Sequence, residues 1–133
     1  MANLPTTKKD LMAVLPDTSK TLHLPGLDAV IEIFRDTYGI FHVRAQSAHD
    51  AFFGQGFATA QDRLWHMDHD RRWAYGSWAA YAGEAALEQD LMMRRLQVLA
   101  SVESDYQAVN DKTRAMLDAY TAGVNAYIND TEA

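Results

Sequence analysis

Two glycines lie inside the most regular helical pattern of this chain, and they restrict how that helix can pack. Between residues 53 and 67, apolar side chains recur at spacings of three and four, which places them on one helix face: Phe53, Phe57, Ala60, Leu64 and Met67. Gly54 and Gly56 interrupt the pattern, although a glycine in a helix interior costs about 1 kcal/mol relative to alanine. We therefore expect a second backbone to pack closely at the glycines, and the helix to bend there.

A β-hairpin is predicted over residues 29–45, before this helix. Residues 29–34 are rich in β-branched side chains, and residues 40–45 alternate between apolar and polar ones. Between them, Asp36-Thr-Tyr-Gly39 is a turn signal, because glycine tolerates positive φ. Ser47 can then cap the helix, and Asp50 at the third helical position completes a variant of the capping box. The helix is expected over about residues 47–73.

An extended N-terminal segment and two further helices complete the predicted organisation. Residues 1–28 contain all three prolines and are expected to be extended, apart from one short helix that uses Leu11, Met12, Val14 and Leu15. Helices are predicted over 87–102 and 111–129, and Asn110 can cap the second. Five apolar residues share a face of that last helix: Met116, Tyr120, Val124, Tyr127 and Ile128. Residues 29–133 thus form an α+β unit.

Composition narrows the function classes. The chain has 133 residues and a net charge of −6, and no concentrated basic face is visible, so nucleic-acid binding is disfavoured. It has no cysteine, which excludes thiolate catalysis and cysteine metal sites. No apolar run approaches the roughly 20 residues that span a bilayer. The N-terminal residues 1–10 lack a secretory apolar region, so we expect a cytoplasmic protein, with a processed periplasmic protein as the alternative.

A cluster of acids and histidines on the central helix allows two interpretations. Its members are Asp62, His66, Asp68, His69 and Asp70. Imidazole and carboxylate groups at helical spacing could hold zinc or iron. Alternatively, they form a polar helix side with ion pairs to Arg63, Arg71 and Arg72, and we favour this interpretation, with no metal ligand expected. Gln61, Asp62 and Arg63 are expected to act structurally, through a buried Asp–Arg pair that contacts a neighbouring segment or chain.

Four segments, in order, closely resemble the start of the penicillin acylase family. They are Asp36-x-Tyr-Gly-x-x-His42, Gly54-x-Gly-Phe57, Ala60-Gln-Asp-Arg-Leu-Trp-x-Met67 with Arg71-Arg72, and Leu117-Asp-Ala-Tyr-x-Ala-Gly-Val-Asn-Ala-Tyr-Ile128. One departure is Phe41, where the family usually has proline before the histidine. The resemblance covers roughly residues 30–128, and the order of four separate segments makes it far more specific than a single glycine motif.

The resemblance implies an amide-cleaving enzyme of the N-terminal-nucleophile hydrolase class. In that class an αββα sandwich is completed by a larger β chain, whose N-terminal serine attacks an amide substrate. This chain begins Met1-Ala2, so no catalytic residue is expected in it, and it corresponds to the α subunit. No cofactor is required for the chemistry, while a structural calcium ion is compatible with the full enzyme. The alternatives are a non-catalytic binding or scaffold protein with the same fold, and an independent helical metalloprotein.

Substrate contacts are predicted at only two positions of this chain. Gln55 and Phe57 follow glycines, where the backbone can approach a ligand closely, so they are candidates for the edge of the acyl pocket. His42 is expected to be a hydrogen-bonded core residue. The aromatic residues are expected to form core or a chain–chain interface: Phe52, Phe53, Phe57, Trp65, Trp73, Tyr75, Trp78 and Tyr81.

Overall fold

A two-stranded hairpin with helices packed over it forms the described part of the chain, as the α+β expectation required. The computed structural model describes residues 7–13, 15 and 17–132. The elements in chain order are α1 (Lys8–Ala13), β1 (Glu32–Arg35), β2 (Phe41–Arg44), α2 (Ala48–Ala74), α3 (Ala79–Ala82), a 3₁₀ turn (Glu84–Ala86), α4 (Leu87–Arg95), α5 (Val98–Ala108) and α6 (Asp111–Glu132).

The hairpin forms as predicted. β1 and β2 pair antiparallel, with Ile33 opposite Val43 and Phe34 opposite His42. The turn closes through a hydrogen bond of 3.0 Å from the Gly39 N–H to the Asp36 carbonyl, and Gly39 has φ of +79°, a value that favours glycine. Ile33 and Val43 are half-buried and their strand neighbours are more exposed, so one face of the hairpin covers α2.

Helices α2 and α6 cross at two glycines, so the close approach predicted from the glycine pattern is confirmed. A Cβ atom on Gly56 would collide with the backbone carbonyl of Tyr120, and a Cβ atom on Gly123 would collide with that of Phe53. A fully buried alanine lies one turn from the glycine on each helix: Ala60 on α2 and Ala119 on α6. Small residues at both positions of both helices let the backbones touch, which no larger side chain would permit.

The buried core lies on both sides of α2. Phe53 and Phe57 are almost completely buried, and the Phe57 ring meets the Tyr127 ring of α6 edge-on, with centroids 5.5 Å apart. On the hairpin side, a Cβ atom on Gly54 would lie 2.8 Å from Val43 Cγ1. Gly54 therefore accommodates the hairpin side chains, while Gly56 accommodates the α6 backbone.

The start of α2 is held by Ser47 and Asp50, but not through the complete capping box that we expected. The Ser47 hydroxyl accepts the Asp50 N–H at 3.0 Å, as an N-cap does. The Asp50 carboxylate makes no hydrogen bond with the Ser47 backbone N–H, which a capping box would require. It is fully buried and accepts the backbone N–H groups of Asp28 and Ala29 at 2.9 and 3.1 Å, so it attaches the segment before β1 to α2.

Acid should weaken this attachment. The pKa of Asp50 lies below its usual range, mainly because the carboxylate accepts the Asp28 N–H. A carboxyl group whose folded pKa is depressed contributes stability above its unfolded pKa of about 3.9, and the contribution is lost as the pH falls through the folded pKa. In the complete protein, Asp50→Asn should lower Tm near neutral pH and make Tm fall less steeply below about pH 4. The exposed Asp105→Asn is the control, and equal acid slopes in Asp50→Asn and wild type would contradict the assignment.

Three of the helices differ from their predicted form, one in the position of its break and two in their boundaries. α2 does not bend at its glycines; its non-helical residue is Arg63, with φ of −142° and ψ of 22°. The helix predicted over 87–102 is two helices, because Gln97 adopts left-handed φ of +55°, which a right-handed helix cannot continue. The short N-terminal helix begins earlier than expected, at Lys8; Leu15 follows its end at Ala13, and Val14 lies outside the described residues.

Candidate functional site

Arg35 of β1 attaches the hairpin to α2 immediately before the helix break. Its guanidinium donates to both carboxylate oxygens of Asp62, at 2.6 and 3.0 Å, and to the Gln61 side-chain oxygen at 2.9 Å. It also donates to the Gly39 carbonyl at 3.1 Å, so one side chain links the hairpin turn and the helix. The Asp–Arg pair that we expected here exists, but the arginine is Arg35 and not Arg63, and the pair is partly exposed rather than buried.

Arg63 comes directly after the two residues that Arg35 binds, and it is the non-helical residue at which α2 breaks. It is exposed, and no carboxylate of the described residues pairs with it. Two hollows flank it. The larger, of about 680 Å³, is lined by the backbone and side chains around the break together with Trp65, His66, Tyr127 and Thr131. The smaller, of about 460 Å³, lies between the break and the hairpin turn. Arg63 and Asp62 line both hollows.

The two predicted substrate-binding residues lie apart from these hollows. Phe57 is buried against Tyr127 in the α2–α6 core, whereas Gln55 is exposed on the helix surface. Neither residue lines either hollow, and the described chain does not bring them together in one pocket. Their assignment to the acyl pocket stays a prediction that depends on surfaces outside this chain.

The acid–histidine cluster of α2 makes ion pairs and hydrogen bonds; the expected pairs with Arg71 and Arg72 are present, whereas the expected pair with Arg63 is replaced by one with Arg35. Asp62 is bound by Arg35. Asp68 accepts hydrogen bonds from Arg71 and Arg72, at 2.6 Å each. These bonds lower the pKa of Asp68, and the bond from Arg72 has the larger effect. The remaining contacts join Asp70 to His66 Nε2 at 3.2 Å and to His69 Nδ1 at 2.9 Å.

If the full protein has the acylase activity that the resemblance implies, replacing both His66 and His69 with alanine should leave that activity almost intact. Their imidazoles contact Asp70 and neighbouring aromatic rings, so we expect kcat to stay within about tenfold of wild type. The measurement is kcat of the double variant with and without added zinc or iron. A loss of several orders of magnitude that metal restores would identify a metal centre at this cluster.

Among the described residues, one group of possible metal ligands comes close together: Asp28, His49 and Asp50, whose ligand atoms lie within 4.8 Å of one another. The buried member, Asp50, already uses its oxygens to accept two backbone N–H groups. His49 Nδ1 lies 3.2 Å from Asp50 and 3.6 Å from Asp28. These contacts describe a hydrogen-bonded junction between residues 28–29 and α2, and not an open coordination site.

His42 is hydrogen-bonded as expected, but it lies at the surface and not in the core. Its side chain is 48% exposed, its Nε2 lies 3.2 Å from Asp36, and its ring stacks on Phe34, its cross-strand neighbour, with centroids 5.1 Å apart. The hydrogen bond with His42 is the main reason that the pKa of Asp36 is lowered. The strand alternation correctly separated two faces, but the face that carries His42 is the one turned away from α2.

The predicted aromatic cluster divides into two groups. Phe53 and Phe57 belong to the core. The rings beyond the helix break form a partly exposed group, here called the aromatic row, in which His69 and Trp78 are half-buried; it consists of Trp65, His69, Trp73, Trp78 and Tyr81. Within the row Trp65 stacks on His69 at 5.7 Å, and Trp78 stacks on Tyr81 at 6.2 Å. Trp65 is 73% and Tyr81 63% exposed, which is unusual for contiguous large rings on a protein surface.

Asp90 is a structural residue that the sequence reasoning missed. It is almost fully buried, and its carboxylate accepts the N–H groups of Trp78 and Ala79 at 3.0 and 2.7 Å. Arg94, one turn later, donates to the Gly76 carbonyl at 2.7 Å. Together they hold the turn after α2, and hence one end of the aromatic row, against α4. Nothing in the local sequence pattern distinguishes Asp90 from a solvated acid in the first turn of a helix.

Within the part of the chain that the structure describes, no helix combines the length and the apolar character that crossing a membrane would need.

Comparison with known proteins gives a consistent result. Residues 30–133 match the family model for penicillin amidase. The chain is 41% identical over 123 residues to the penicillin acylase 2 proenzyme of Pseudomonas sp. (strain SE83), a match that covers 92% of this chain and 16% of that protein. It is 33% identical over 114 residues to the acyl-homoserine lactone acylase QuiP of Pseudomonas fluorescens, covering 86% of this chain and 14% of the relative.

A solved structure agrees with these relatives. A thermostable penicillin G acylase from Alcaligenes faecalis superimposes with a TM-score of 0.68 at 34% sequence identity, over 77% of this chain and 55% of that one. The chain thus spans about one sixth of the length of the curated relatives it matches.

Proposed function

This chain belongs to the penicillin amidase family, and from that membership we propose that it is the α subunit of a two-chain acylase that hydrolyses a carboxylic amide. The observation that supports this most is the family match, because residues 30–133 include the hairpin and all the helices from α2 to α6. The relatives' names describe acylases of two kinds, a penicillin acylase and an acyl-homoserine lactone acylase. Cleavage of an amide between an acyl group and an amine is the chemistry that both names share.

The catalytic nucleophile in this proposal is the N-terminal serine of a larger partner chain. Its hydroxyl oxygen forms a bond to the amide carbonyl carbon while its own α-amine, with an unperturbed pKa of about 8, takes the hydroxyl proton. Hydrogen-bond donors of the partner stabilise the oxyanion. The carbon–nitrogen bond then breaks, the proton passes to the leaving amine, and water hydrolyses the remaining ester. No metal is needed in any of these steps.

The α subunit would contribute a scaffold to this enzyme. The hairpin and the glycine crossing hold α2 and α6 as one rigid unit, which is suited to completing one side of an αββα sandwich with the partner chain. Gln55 and Phe57 are the proposed contributions to the edge of the acyl pocket. The acid–histidine cluster is occupied by ion pairs within this chain, so we assign it no catalytic role.

A covalent serine-directed inhibitor tests the proposal directly. Incubated with the native enzyme, a sulfonyl fluoride should add one label to the N-terminal serine of the larger chain, and none to this chain. Intact-mass measurement of every chain, with a sample inactivated by heat before labelling as the control, gives the result. Label on this chain would refute the assignment of the nucleophile to a larger chain. A native protein without any larger chain would refute the subunit assignment and favour a scaffold protein that kept the fold.

A further inference from the structure

Among the residues that the structure describes, Arg63 has no counterion, whereas the arginines nearest to it on α2 are paired. The adjacent carboxylate, Asp62, is held by both arms of Arg35, which leaves it oriented toward the hairpin. Arg71 and Arg72 share Asp68. Among the described residues no carboxylate lies within 4 Å of Arg63, although the chain as a whole carries a net charge of −6. Because the neighbouring Asp62 is already bound by Arg35, the Arg63 guanidinium can pair with a carboxylate of another chain.

The surroundings of Arg63 have the composition of an interface centre. The helix break places Arg63 on the wall of the larger hollow together with Trp65 and Tyr127. Tryptophan, tyrosine and arginine are the residue types that dominate the energetics of protein–protein interfaces, especially around a pocket that excludes water. Trp65 has 73% of its surface exposed in this chain alone, so its ring is available to an apolar partner.

The extent of the apolar surface favours a polypeptide over a small ligand. From Trp65 the aromatic row continues along α2 to Trp73, eight residues later, which corresponds to about 12 Å of helix at 1.5 Å per residue. It continues past the helix end to Tyr81, which is 63% exposed. A molecule of substrate size seated at Arg63 would leave these rings in water, whereas a chain segment could cover them and present a carboxylate at one end.

We propose that the hollow at Arg63 and the adjoining aromatic row form the seat of a segment of the larger chain, which pairs an Asp or Glu side chain with Arg63 and covers Trp65 with apolar side chains. The inference rests on the proposed function in one respect, since it assumes that the larger chain exists. It adds the place where that chain docks and the chemistry that fixes its register. The two parallel donors of a guanidinium would orient the incoming carboxylate, and the desolvated rings around it would strengthen the pair.

Charge variants made in the full-length protein test the pairing. Arg63→Glu should lower the yield of assembled two-chain enzyme by at least about tenfold, because it places two carboxylates together in a desolvated hollow. Arg63→Lys keeps the charge but loses the paired donors, so it should lower the yield less than Arg63→Glu does. Lys112→Glu, an equal charge change at an exposed position of α6, should match wild type. An Asp or Glu of the larger chain changed to Arg should restore assembly in the Arg63→Glu background. Normal assembly of Arg63→Glu would overturn the proposal.

Chemical labelling of the wild-type enzyme gives a result that does not depend on a variant folding. An arginine-specific dicarbonyl reagent should modify Arg95, which is exposed on α4, at least about tenfold faster than Arg63 if a partner segment covers Arg63. Equal modification of the two arginines in the assembled enzyme would refute the docking site, whereas absence of any larger chain would refute the proposed function instead. If Arg63→Glu assembles normally and raises KM only for amides that carry a carboxylate, the hollow binds substrate, and the partner assignment is wrong.

Discussion

Replacing Gly56 with valine should abolish formation of the mature protein. At this position the α6 backbone is so close that even a methyl group would occupy the space of the Tyr120 carbonyl, and backbone cannot rotate away as a side chain can. Overpacking of a core commonly costs 1–3 kcal/mol, and a clash with backbone should exceed about 3 kcal/mol. The gain in helix propensity over glycine is at most about 1 kcal/mol and cannot offset it. We expect less than about a tenth of the wild-type yield of mature protein.

The reciprocal position supplies the controls. Gly123→Val should fail in the same way, because a Cβ atom there would meet the backbone of Phe53 and Phe57. Ala122→Val changes the adjacent residue of the same helix at an exposed position. It therefore tests the effect of a β-branched residue on α6 without a clash against the backbone of α2. Its yield should be close to wild type. Normal yield of Gly56→Val with an altered KM would instead place Gly56 in the substrate pocket and refute the close-packing account.

The glycine crossing could be predicted from the sequence because glycine in a helix carries a known cost. A helix keeps Gly54 and Gly56 only where something compensates for that cost, and here the compensation is contact with Val43 and with the α6 backbone. The hairpin turn could be predicted for a similar reason, since Gly39 sits where φ must be positive. In both cases the glycine in the sequence indicates a backbone geometry that other residues would not tolerate.

The break at Arg63 could not be predicted in this way. Gln61 and Asp62, which precede it, are held by Arg35, a residue 26 and 27 positions earlier in the chain. The role of Asp50 is equally non-local, because its carboxylate binds backbone groups of Asp28 and Ala29 and not the capping group that the local pattern suggested. Where a polar side chain chooses between a local and a distant partner, the sequence pattern alone gives no basis for the choice.

The candidate site shows the same limit. Gln55 and Phe57 were predicted from their position after glycines, and the structure places one on the surface and the other in the core. The two hollows surround Arg63, for which the sequence predicts a structural role, and the assignment of Gln55 and Phe57 to the acyl pocket stays a prediction. A pocket formed between chains is visible from one chain only as an incomplete surface, so the residues that line it need not look like a site.

The described chain on its own should aggregate or stay only partly folded, and it should have no acylase activity. Many large apolar side chains are exposed in it, among them Trp65, Tyr81, Leu87, Leu96, Leu99 and Val102. Exposure of so many large apolar side chains is typical of an interaction site or an aggregation hazard, and obligate interfaces commonly bury about 2,000 Å² or more. Leu87, Leu99 and Val102 lie on α4 and α5, and Leu96 lies between these helices. The two helices bury almost none of their own residues, so they lack the internal contacts that would hold them in place.

Sedimentation and thermal unfolding, measured with and without the larger chain, would test this expectation. Produced alone, the chain should sediment as a heterogeneous aggregate and unfold without a sharp transition, because all the fully buried apolar side chains of the described residues lie on α2 and α6. Produced together with the larger chain, it should be recovered in a soluble complex that hydrolyses an amide. The α2–α6 crossing should survive in both cases, since its contacts lie within this chain. A soluble monomer with one cooperative transition would show that the exposed rings need no partner, and it would favour an independent scaffold protein.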